Sequence, residues 1–226
     1  PLVRVAPESR RRAVLTAERT GGMIALGYHR RRSHDLFALE ECPVLHPDIV
    51  AQLAGLRALA AAMPAREVRM TVLATRTGLD VAVAAGKGRL AAGAVVDLAA
   101  IAGRHHVARI TVNGETVIER AAPNLDMAGV DVVPPPGAFV QAVAAAEATL
   151  SEHVVAGAGR AKRVADLFCG IGTFTFPLAR NARVLALDAD QSLLGALSSA
   201  ARRAQGLKPI EAKVRDLFRE PLSARE

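Results

Sequence analysis

The most constraining feature of this sequence is the stretch from Arg163 to Asp190, RVADLFCGIGTFTFPLARNARVLALDAD. Its first apolar run contains one carboxylate, Asp166, as is typical of a buried parallel strand. Gly170 and Gly172 follow, and two glycines before an apolar, helix-compatible run let the backbone turn sharply and approach a ligand. A second apolar run ends at Asp188, where a nucleotide-binding half-sheet places the acid that binds ribose hydroxyls. The stretch therefore predicts a nucleoside-cofactor site.

The spacing of the glycines narrows the choice of cofactor. The dinucleotide motif requires three glycines, G-x-G-x-x-G, and here Gly170-Ile171-Gly172 is followed by Thr173-Phe174-Thr175. The Gly-Lys-Ser/Thr of a P-loop is missing as well. Asp166 lies four residues before the first glycine, where a carboxylate can meet a cationic amino-acid group. This favours S-adenosylmethionine, and a Rossmann-like turn that binds another ligand is the alternative.

The charge of the chain is uneven. The formal net charge is +7 and the isoelectric point is about 10.4. Eight arginines and only three acids fall within residues 1–35. A local basic field of this kind indicates a polyanionic partner, and nucleic acid is the natural candidate, although an arginine-rich and alanine-rich composition alone is the alternative. The predicted RNA-binding residues are Arg10, Arg11, Arg12, Tyr28, Arg30, Arg31 and Arg32.

Tyr28 and the arginines that follow it have two interpretations. Tyr28, next to His29 and the arginine run that follows, is suited to stack on and clamp a single strand. A solvated strand end explains the same residues equally well.

The remaining composition limits the class of protein. Half of the 226 residues are apolar, which is enough for a sizeable core. We find no secretory signal and no apolar run near the ~20 residues of a membrane span, so we expect a soluble, cytoplasmic fragment without a membrane partner. The two cysteines, Cys42 and Cys169, are too few and too far apart for a disulfide framework or a zinc motif.

The first part of the chain, residues 1–133, is predicted to be an α+β domain. Alternating patterns predict hairpins over 12–29, 68–85 and 107–120, the last around the Asn113-Gly114 turn. Helices are predicted from Pro47 to about Ala62 and from about Gly93 to Ala102. The sheet of this domain is expected to be antiparallel.

The second part, residues 134–226, is predicted to be an incomplete Rossmann-like domain, which makes the whole chain α/β in class. The proline run Pro134-Pro135-Pro136 with Gly137 marks the boundary, since it cannot continue a strand or a helix. A helix to about Val155 and a strand at Val164 follow. Helices at 173–180 and 191–205 then alternate with strands at 183–188 and 210–214, and Asp216 follows the last strand.

Three blocks of sequence resemble one family of enzymes. They are GYHRRRSHDLFALEECPVLHP, PPGAFVQA and DLFCGIGTFTFPLA. They are similar to the S-adenosylmethionine-dependent RNA uracil-5-methyltransferases that modify ribosomal and transfer RNA, from about Arg11 to the end of the chain. The resemblance implies that the methyl donor is bound by Gln141, Phe168, Thr173, Asp188 and Asp216, in addition to Asp166, Gly170 and Gly172. Thr173 is commonly asparagine, Asp188 often glutamate and Asp216 often asparagine in the family.

The resemblance also implies an iron–sulfur ligand. Cys42 matches the fourth cysteine of the [4Fe-4S] cluster that many members contain, and the other three ligands lie upstream of the residues in this chain. A single thiolate cannot hold a cluster, so a cluster is expected only in the full-length protein, and a half-buried spare cysteine is the alternative. Cys169 is expected to pack under the cofactor rather than act as a nucleophile.

The family's chemistry requires further residues. In the family a cysteine thiolate adds to carbon 6 of a flipped or unpaired uracil, so that carbon 5 becomes nucleophilic and attacks the sulfonium methyl group. The matching acidic motif, nucleophile and base are absent from this chain, and so is the N-terminal β-barrel of many members. We therefore expect an inactive fragment of such an enzyme. The alternatives are a catalytically dead RNA-binding module and an RNA methyltransferase that acts on another atom.

Overall fold

A computed structural model describes residues 3–86 and 90–223 of the chain. Backbone contacts divide the chain into two compact units. The first comprises Pro1–Pro123 with Ala142–Ala144, and the second comprises Asn124–Gln141 with Ala145–Glu226. This division falls at Pro123, so the boundary predicted at Pro134 lies within the second unit. None of the helices within the described residues combines the length and apolar character needed to cross a bilayer.

The first unit is built on a seven-stranded sheet. Its elements in chain order are β1 Arg12–Thr20, β2 Met23–His29, β3 Leu36–Ala38, α1 Pro47–Val50, α2 Leu53–Ala61, β4 Glu67–Thr75, β5 Gly78–Ala84, α3 Ala92–Arg104, β6 Val107–Val112 and β7 Glu115–Glu119. The strand order in the sheet is β3-β2-β1-β4-β5-β6-β7. The three predicted hairpins are confirmed, each joined by a short turn. The third uses Asn113-Gly114, both at positive φ, as such a turn requires.

The core of this unit lies on one face of the sheet. Leu15, Met70 and Val81 come from three neighbouring strands and are fully buried. They belong to one cluster with the apolar residues of α1, α2 and α3, so the three helices cover this face. Alternate residues of each strand point to the other face, which follows from the period of two along a strand.

Two expectations for the first unit are wrong. The sheet is not antiparallel throughout, because β5 and β6 pair in parallel. α3 lies between these strands in the chain, and a helical crossover returns the chain to the end of the sheet where β5 began.

The prediction of a single helix over 47–62 is also wrong, because this segment forms two helices, α1 and α2, which are separated by Ala51 and Gln52. Gln52 has φ −105° and ψ 12°, outside the helical range. Its Oε1 lies 3.2 Å from Nδ1 of His105, and a Cβ at Gly55 would collide with the same imidazole. A contact with the end of α3 therefore coincides with the interruption, and no local signal in the sequence indicates it.

The second unit contains the Rossmann-like sheet. Its elements in chain order are β8 Leu125–Met127, β9 Val130–Val132, α4 Ala144–Ala158, β10 Arg163–Leu167, α5 Thr175–Ala179, β11 Arg183–Asp188, α6 Gln191–Arg203 and β12 Ile210–Val214. Strands β10, β11 and β12 are parallel and lie in that order, with α5 and α6 as the crossovers. The predicted bounds of β11 and β12 are confirmed, and the small β8–β9 hairpin was not predicted.

The helices of the second unit are positioned by their apolar faces. α6 is amphipathic and buries Leu194, Leu197 and Ala200. Asp190 begins this helix, because its carboxylate accepts hydrogen bonds from the amides of Ser192 and Leu193. The short α5 buries Phe176 completely. The loops that follow β10, β11 and β12 consequently meet at the carboxyl edge of the sheet, where ligands bind in folds of this type.

Candidate functional site

The turn after β10 has an unusual backbone. Phe168, Gly170 and Gly172 have φ angles of +59°, +56° and +102°. A Cβ at Gly172 would lie 2.6 Å from the ring of Phe176, so position 172 needs glycine for both its conformation and its space. A phenylalanine at positive φ is strained, and strain of this kind is concentrated at ligand-binding sites.

Asp188 connects the end of β11 to this turn. Its Oδ2 accepts a hydrogen bond of 2.8 Å from the amide of Gly170, and its Oδ1 accepts one of 3.0 Å from the amide of Asp190. The amide of Cys169 also donates to the carbonyl of Leu187 at 3.0 Å. The structure therefore brings Gly170 and Asp188 together. Because each carboxylate oxygen can accept more than one hydrogen bond, Asp188 retains capacity for a ligand hydroxyl.

Asp166 is buried and bonded internally. Its Oδ2 accepts a hydrogen bond of 2.6 Å from the hydroxyl of Thr175. Burial raises the pKa of Asp166, and the nearby charge of Asp188 raises it further, while the Thr175 hydrogen bond opposes both. Thr175 is a site residue that the sequence analysis missed, since nothing local marks it as the partner of Asp166. The contact of Asp166 with a cationic ligand group stays a prediction.

Cys169 lies in the same turn and is buried. Burial, followed by the charges of Asp166 and Asp188, raises the pKa of its thiol to about 12. A thiol with this pKa is almost entirely protonated at neutral pH, and the thiolate is the nucleophilic form. Cys169 is therefore unsuited to nucleophilic catalysis.

The other predicted donor-binding residues lie in the same compact unit. Thr173 is half-buried, with its hydroxyl 4.0 Å from the sulfur of Met127. Gln141 is also half-buried. Asp216 follows β12, accepts a hydrogen bond of 3.0 Å from the amide of Phe218, and has its carboxylate 3.4 Å from Nε of Arg219.

An aromatic pair stands beside these groups. Phe168 and Phe218 are both exposed, and their ring centroids are 5.4 Å apart at an interplanar angle of 46°. Phe218 follows β12 and was not singled out from the sequence, because a lone aromatic near a strand end has no distinctive pattern.

These residues fit an adenosyl ligand. The acid at the end of β11 accepts hydrogen bonds and has acceptor capacity for ribose hydroxyls. Asp216 offers an acceptor for an amino group, and the exposed rings of Phe168 and Phe218 offer an apolar surface for a flat base. The glycine backbone leaves room for close approach, since nothing lies within 4 Å of a Cβ placed at Gly170.

The predicted RNA-binding residues lie in the first unit and differ in exposure. Arg10, Arg30, Arg31 and Arg32 are exposed. Arg11 is 8% exposed, and its amide donates to the carbonyl of Ala142. That Arg11 contacts RNA stays a prediction, as it does for the other predicted RNA-binding residues.

Arg12 and Tyr28 are half-buried. Burial, together with the charge of Arg10, lowers the pKa of Arg12. Burial is also the main reason that the pKa of Tyr28 is raised. Tyr28 packs against the apolar core of the first unit, so only part of its ring faces solvent.

Cys42 is a half-buried free cysteine that packs against the same core. Within the described residues no three His, Cys, Asp or Glu side chains are grouped so that they would hold a metal ion. The only other cysteine of the chain, Cys169, belongs to the second unit. A [4Fe-4S] cluster needs four protein ligands, so the residues of this chain do not fit one.

Comparison with known proteins gives the following relatives. No protein-family model matches the chain. It is 47% identical over 228 residues to an uncharacterized RNA methyltransferase of Rhizobium meliloti, with 100% of the chain and 54% of that protein covered. It is 43% identical over 234 residues to an uncharacterized RNA methyltransferase of Caulobacter vibrioides, covering 56% of it. The chain thus spans about half the length of the curated relatives it matches.

Two more distant proteins have names that specify a reaction. The chain is 28% identical over 214 residues to the 23S rRNA (uracil(1939)-C(5))-methyltransferase RlmD of Aeromonas salmonicida, covering 85% of the chain and 46% of that protein. Its fold is similar to that of the Pyrococcus abyssi tRNA (uracil-54, C5)-methyltransferase in complex with S-adenosyl-L-homocysteine. The TM-score is 0.70 at 18% identity, over 94% of this chain and 56% of the other. The fold is therefore mixed α/β with a Rossmann-like unit of the class I methyltransferase type.

Proposed function

We propose that this chain is the donor-binding and RNA-contacting part of an S-adenosylmethionine-dependent methyltransferase that modifies carbon 5 of uracil in ribosomal or transfer RNA. The observation that supports it most is the hydrogen bond from the Gly170 amide to Asp188, which joins a glycine turn to the acid at the end of the next strand. The names of the relatives agree with this reaction class.

The bound donor supplies an electrophilic methyl group on a sulfonium. In this proposal the residues of the second unit hold and orient it. Asp188 accepts from the ribose hydroxyls while its hydrogen bond to Gly170 keeps the turn in place. Gln141, Phe168, Thr173 and Asp216 complete the pocket, with Asp216 on the adenine side. Asp166 is held by Thr175, and the nearby charge of Asp188 contributes to the raised pKa of Asp166.

Carbon 5 of uracil is a poor nucleophile, and a thiolate that adds to carbon 6 overcomes this. Neither cysteine of this chain is proposed for that role. Cys169 is buried with a pKa of about 12, and Cys42 packs against the core of the first unit. The thiolate therefore comes from residues outside this chain, and we expect the chain alone to bind the donor without methylating RNA.

Calorimetric titration with S-adenosylhomocysteine tests the pocket. Asp188→Ala removes both the ribose contact and the anchor of Gly170, so we expect binding to weaken by about 1–3 kcal/mol, the cost of leaving polar partners unsatisfied. Asp188→Asn keeps one acceptor oxygen and is expected to lose less. Asp97→Ala removes an exposed carboxylate from α3 in the other unit and serves as the matched control.

The outcomes separate the alternatives. Equal affinity of wild type and Asp188→Ala would show that the pocket is elsewhere. RNA binding without any heat from S-adenosylhomocysteine would favour an RNA-binding module that has lost the donor site. Tritium release from RNA labelled at carbon 5 of uridine, assayed on the longer relatives, distinguishes methylation at carbon 5 from methylation at another atom.

A further inference from the structure

We propose that β3 and the loop before it form a stacking platform for one unpaired base of RNA, with Phe37 as the stacking ring and Arg30 as its cationic neighbour. This inference rests on the proposed function and specifies where the first unit contacts the RNA. Phe37 lies on the edge strand of the seven-stranded sheet and is 52% exposed.

The sheet register places the groups of this platform on one face. Phe37 lies directly opposite Tyr28 in the β2–β3 pair, so both side chains project to the same side. Arg30 follows Tyr28 by two residues, and its guanidinium carbon lies 5.7 Å from the centroid of the Phe37 ring. This distance is within the range of a cation–π interaction. Tyr28 is held by the core, whereas Phe37 offers its ring to solvent.

The loop that bears the platform is closed by its own hydrogen bonds. The amide of Arg30 donates to the carbonyl of Asp35 at 2.9 Å, and the amide of Ser33 donates to the carbonyl of Arg30 at 3.1 Å. Nδ1 of His29 lies 3.1 Å from the carbonyl of His34. A ring on the strand that directly follows such a loop loses little conformational freedom when a base binds.

Gly27 lets the edge strand approach. A Cβ at Gly27 would collide with the carbonyl of Phe37, so only glycine permits β3 to pair with β2 at this distance. The position of Phe37 therefore depends on a glycine on the neighbouring strand.

Charge selects a nucleic acid as the ligand. Arg30, Arg31 and Arg32 are exposed in the loop between β2 and β3, and Asp35 is the only acid of that loop. Arginine side chains contact phosphates, while an exposed aromatic ring stacks on a base only when that base is unpaired. The combination of an exposed ring and three cations thus fits single-stranded RNA, such as a loop, better than a duplex, whose bases are already stacked.

Fluorescence anisotropy of a labelled, uridine-rich single-stranded RNA tests the platform on the full chain. We expect Phe37→Ala to weaken binding about tenfold, the effect of losing one stacked base. Phe37→Tyr keeps a ring and is expected to bind as the wild type does. Met23→Ala removes another exposed apolar side chain, 76% exposed at the start of β2, and is expected to leave affinity unchanged.

The salt dependence separates stacking from charge. Phe37→Ala removes no cation, so the slope of log affinity against log salt should stay at the wild-type value. Arg31→Ala removes one phosphate contact and should reduce that slope by about 0.7. A 2-aminopurine placed in the RNA should be quenched by the wild type and by Phe37→Tyr, and not by Phe37→Ala.

The possible failures are distinguishable. If Phe37→Ala binds the RNA as tightly as Met23→Ala does, the stacking platform is wrong while RNA binding and the donor pocket remain. If duplex RNA binds as tightly as the single strand and Phe37→Ala affects neither, the surface recognises phosphates alone. If the wild type binds no RNA but does bind S-adenosylhomocysteine, the RNA part of the proposed function fails as well.

Discussion

Two buried aspartates, one in each unit, are stabilised in different ways. Asp80 on β5 is paired with Arg109 on β6 through two hydrogen bonds, Nε to Oδ1 at 2.9 Å and a second guanidinium nitrogen to Oδ2 at 2.7 Å. Both side chains are at least 94% buried. Asp166 on β10 instead accepts hydrogen bonds from the hydroxyl and the backbone of Thr175, and its charged neighbour Asp188 is another acid.

The difference indicates what each carboxylate is for. Burial raises the pKa of Asp80, and the hydrogen bond and charge of Arg109 oppose that rise. A matched ion pair of this kind joins two strands and needs no ligand. The pKa of Asp166 is raised by burial and by the nearby charge of Asp188, and a buried acid perturbed in this way is characteristic of functional sites. The second arrangement is the one that the proposed donor pocket uses.

The largest predicted effect concerns the ion pair. Arg109→Met leaves Asp80 buried without its cation, and we expect the free energy of unfolding to fall by about 3–5 kcal/mol. Urea denaturation followed by circular dichroism measures this. The double variant Asp80→Leu/Arg109→Met removes both charges and should recover most of the loss. A single variant as stable as the wild type would mean that the pair contributes nothing.

A smaller effect is expected at the other aspartate. Thr175→Val removes the hydroxyl that donates to Asp166, and we expect a loss of about 1–3 kcal/mol in unfolding free energy. Thr175→Ser retains the hydroxyl and is the matched control. Equal stability of the two variants would contradict the predicted contribution of this hydrogen bond to folding. Weaker binding of S-adenosylhomocysteine in Thr175→Val than in Thr175→Ser would link the hydrogen bond to the donor pocket.

The pH dependence of stability sharpens the comparison further. The pKa of Asp166 is raised above its ordinary value of 3.8 by burial, so the folded state binds the proton more tightly than the unfolded state. Stability from this group is therefore present at low pH and is lost as the pH rises through the raised pKa. Asp166→Asn removes this titration.

We accordingly expect the melting temperature of Asp166→Asn, relative to that of the wild type, to increase from acidic to neutral pH. The corresponding slope is at most about 1.4 kcal/mol per pH unit for one proton. Asp97→Asn, which removes an exposed carboxylate from the other unit, is the matched control. A difference that is independent of pH would mean that Asp166 titrates normally.

The smallest expected effect concerns the thiol of Cys169, which we expect not to react with an alkylating reagent in the folded protein. The thiol of Cys169 is buried and its pKa is raised to about 12, so iodoacetamide at mildly alkaline pH should leave it unlabelled in the folded protein. Mass spectrometry after digestion measures the labelling of Cys169 and of Cys42 in one sample. Rapid labelling of Cys169 would show that the turn opens readily. Labelling after denaturation is the positive control.

The elements that sequence reasoning predicted well are those with local signals. The Asn113-Gly114 turn specifies a hairpin because both residues tolerate positive φ. β11 begins at Arg183 and ends at Asp188 around an apolar run, and β12 lies between Pro209 and Arg215, so the ends of both strands were predicted correctly. Gly170 and Asp188 are hydrogen-bonded, and the ligand site that the sequence predicts at these two residues stays a prediction.

The features that were missed depend on contacts that no local sequence pattern indicates. The parallel pairing of β5 with β6 depends on the path of α3, which the patterns of the two strands do not encode. The interruption between α1 and α2 coincides with His105, more than fifty residues away. Thr175 as the partner of Asp166, and Phe37 beside Arg30, likewise follow only from side chains brought together in space.

By itself, the sequence determined the three hairpins of the first unit, the alternation of strands and helices after residue 163, the glycine turn with its flanking acids, and the concentration of arginine near the start of the chain. These are properties of residue type and short spacing, which set backbone conformation and charge locally. Only the tertiary structure decided which acids are neutralised and which stay close to another acid. It also decided which arginines remain exposed, because burial and partners are set by packing between residues far apart in the chain.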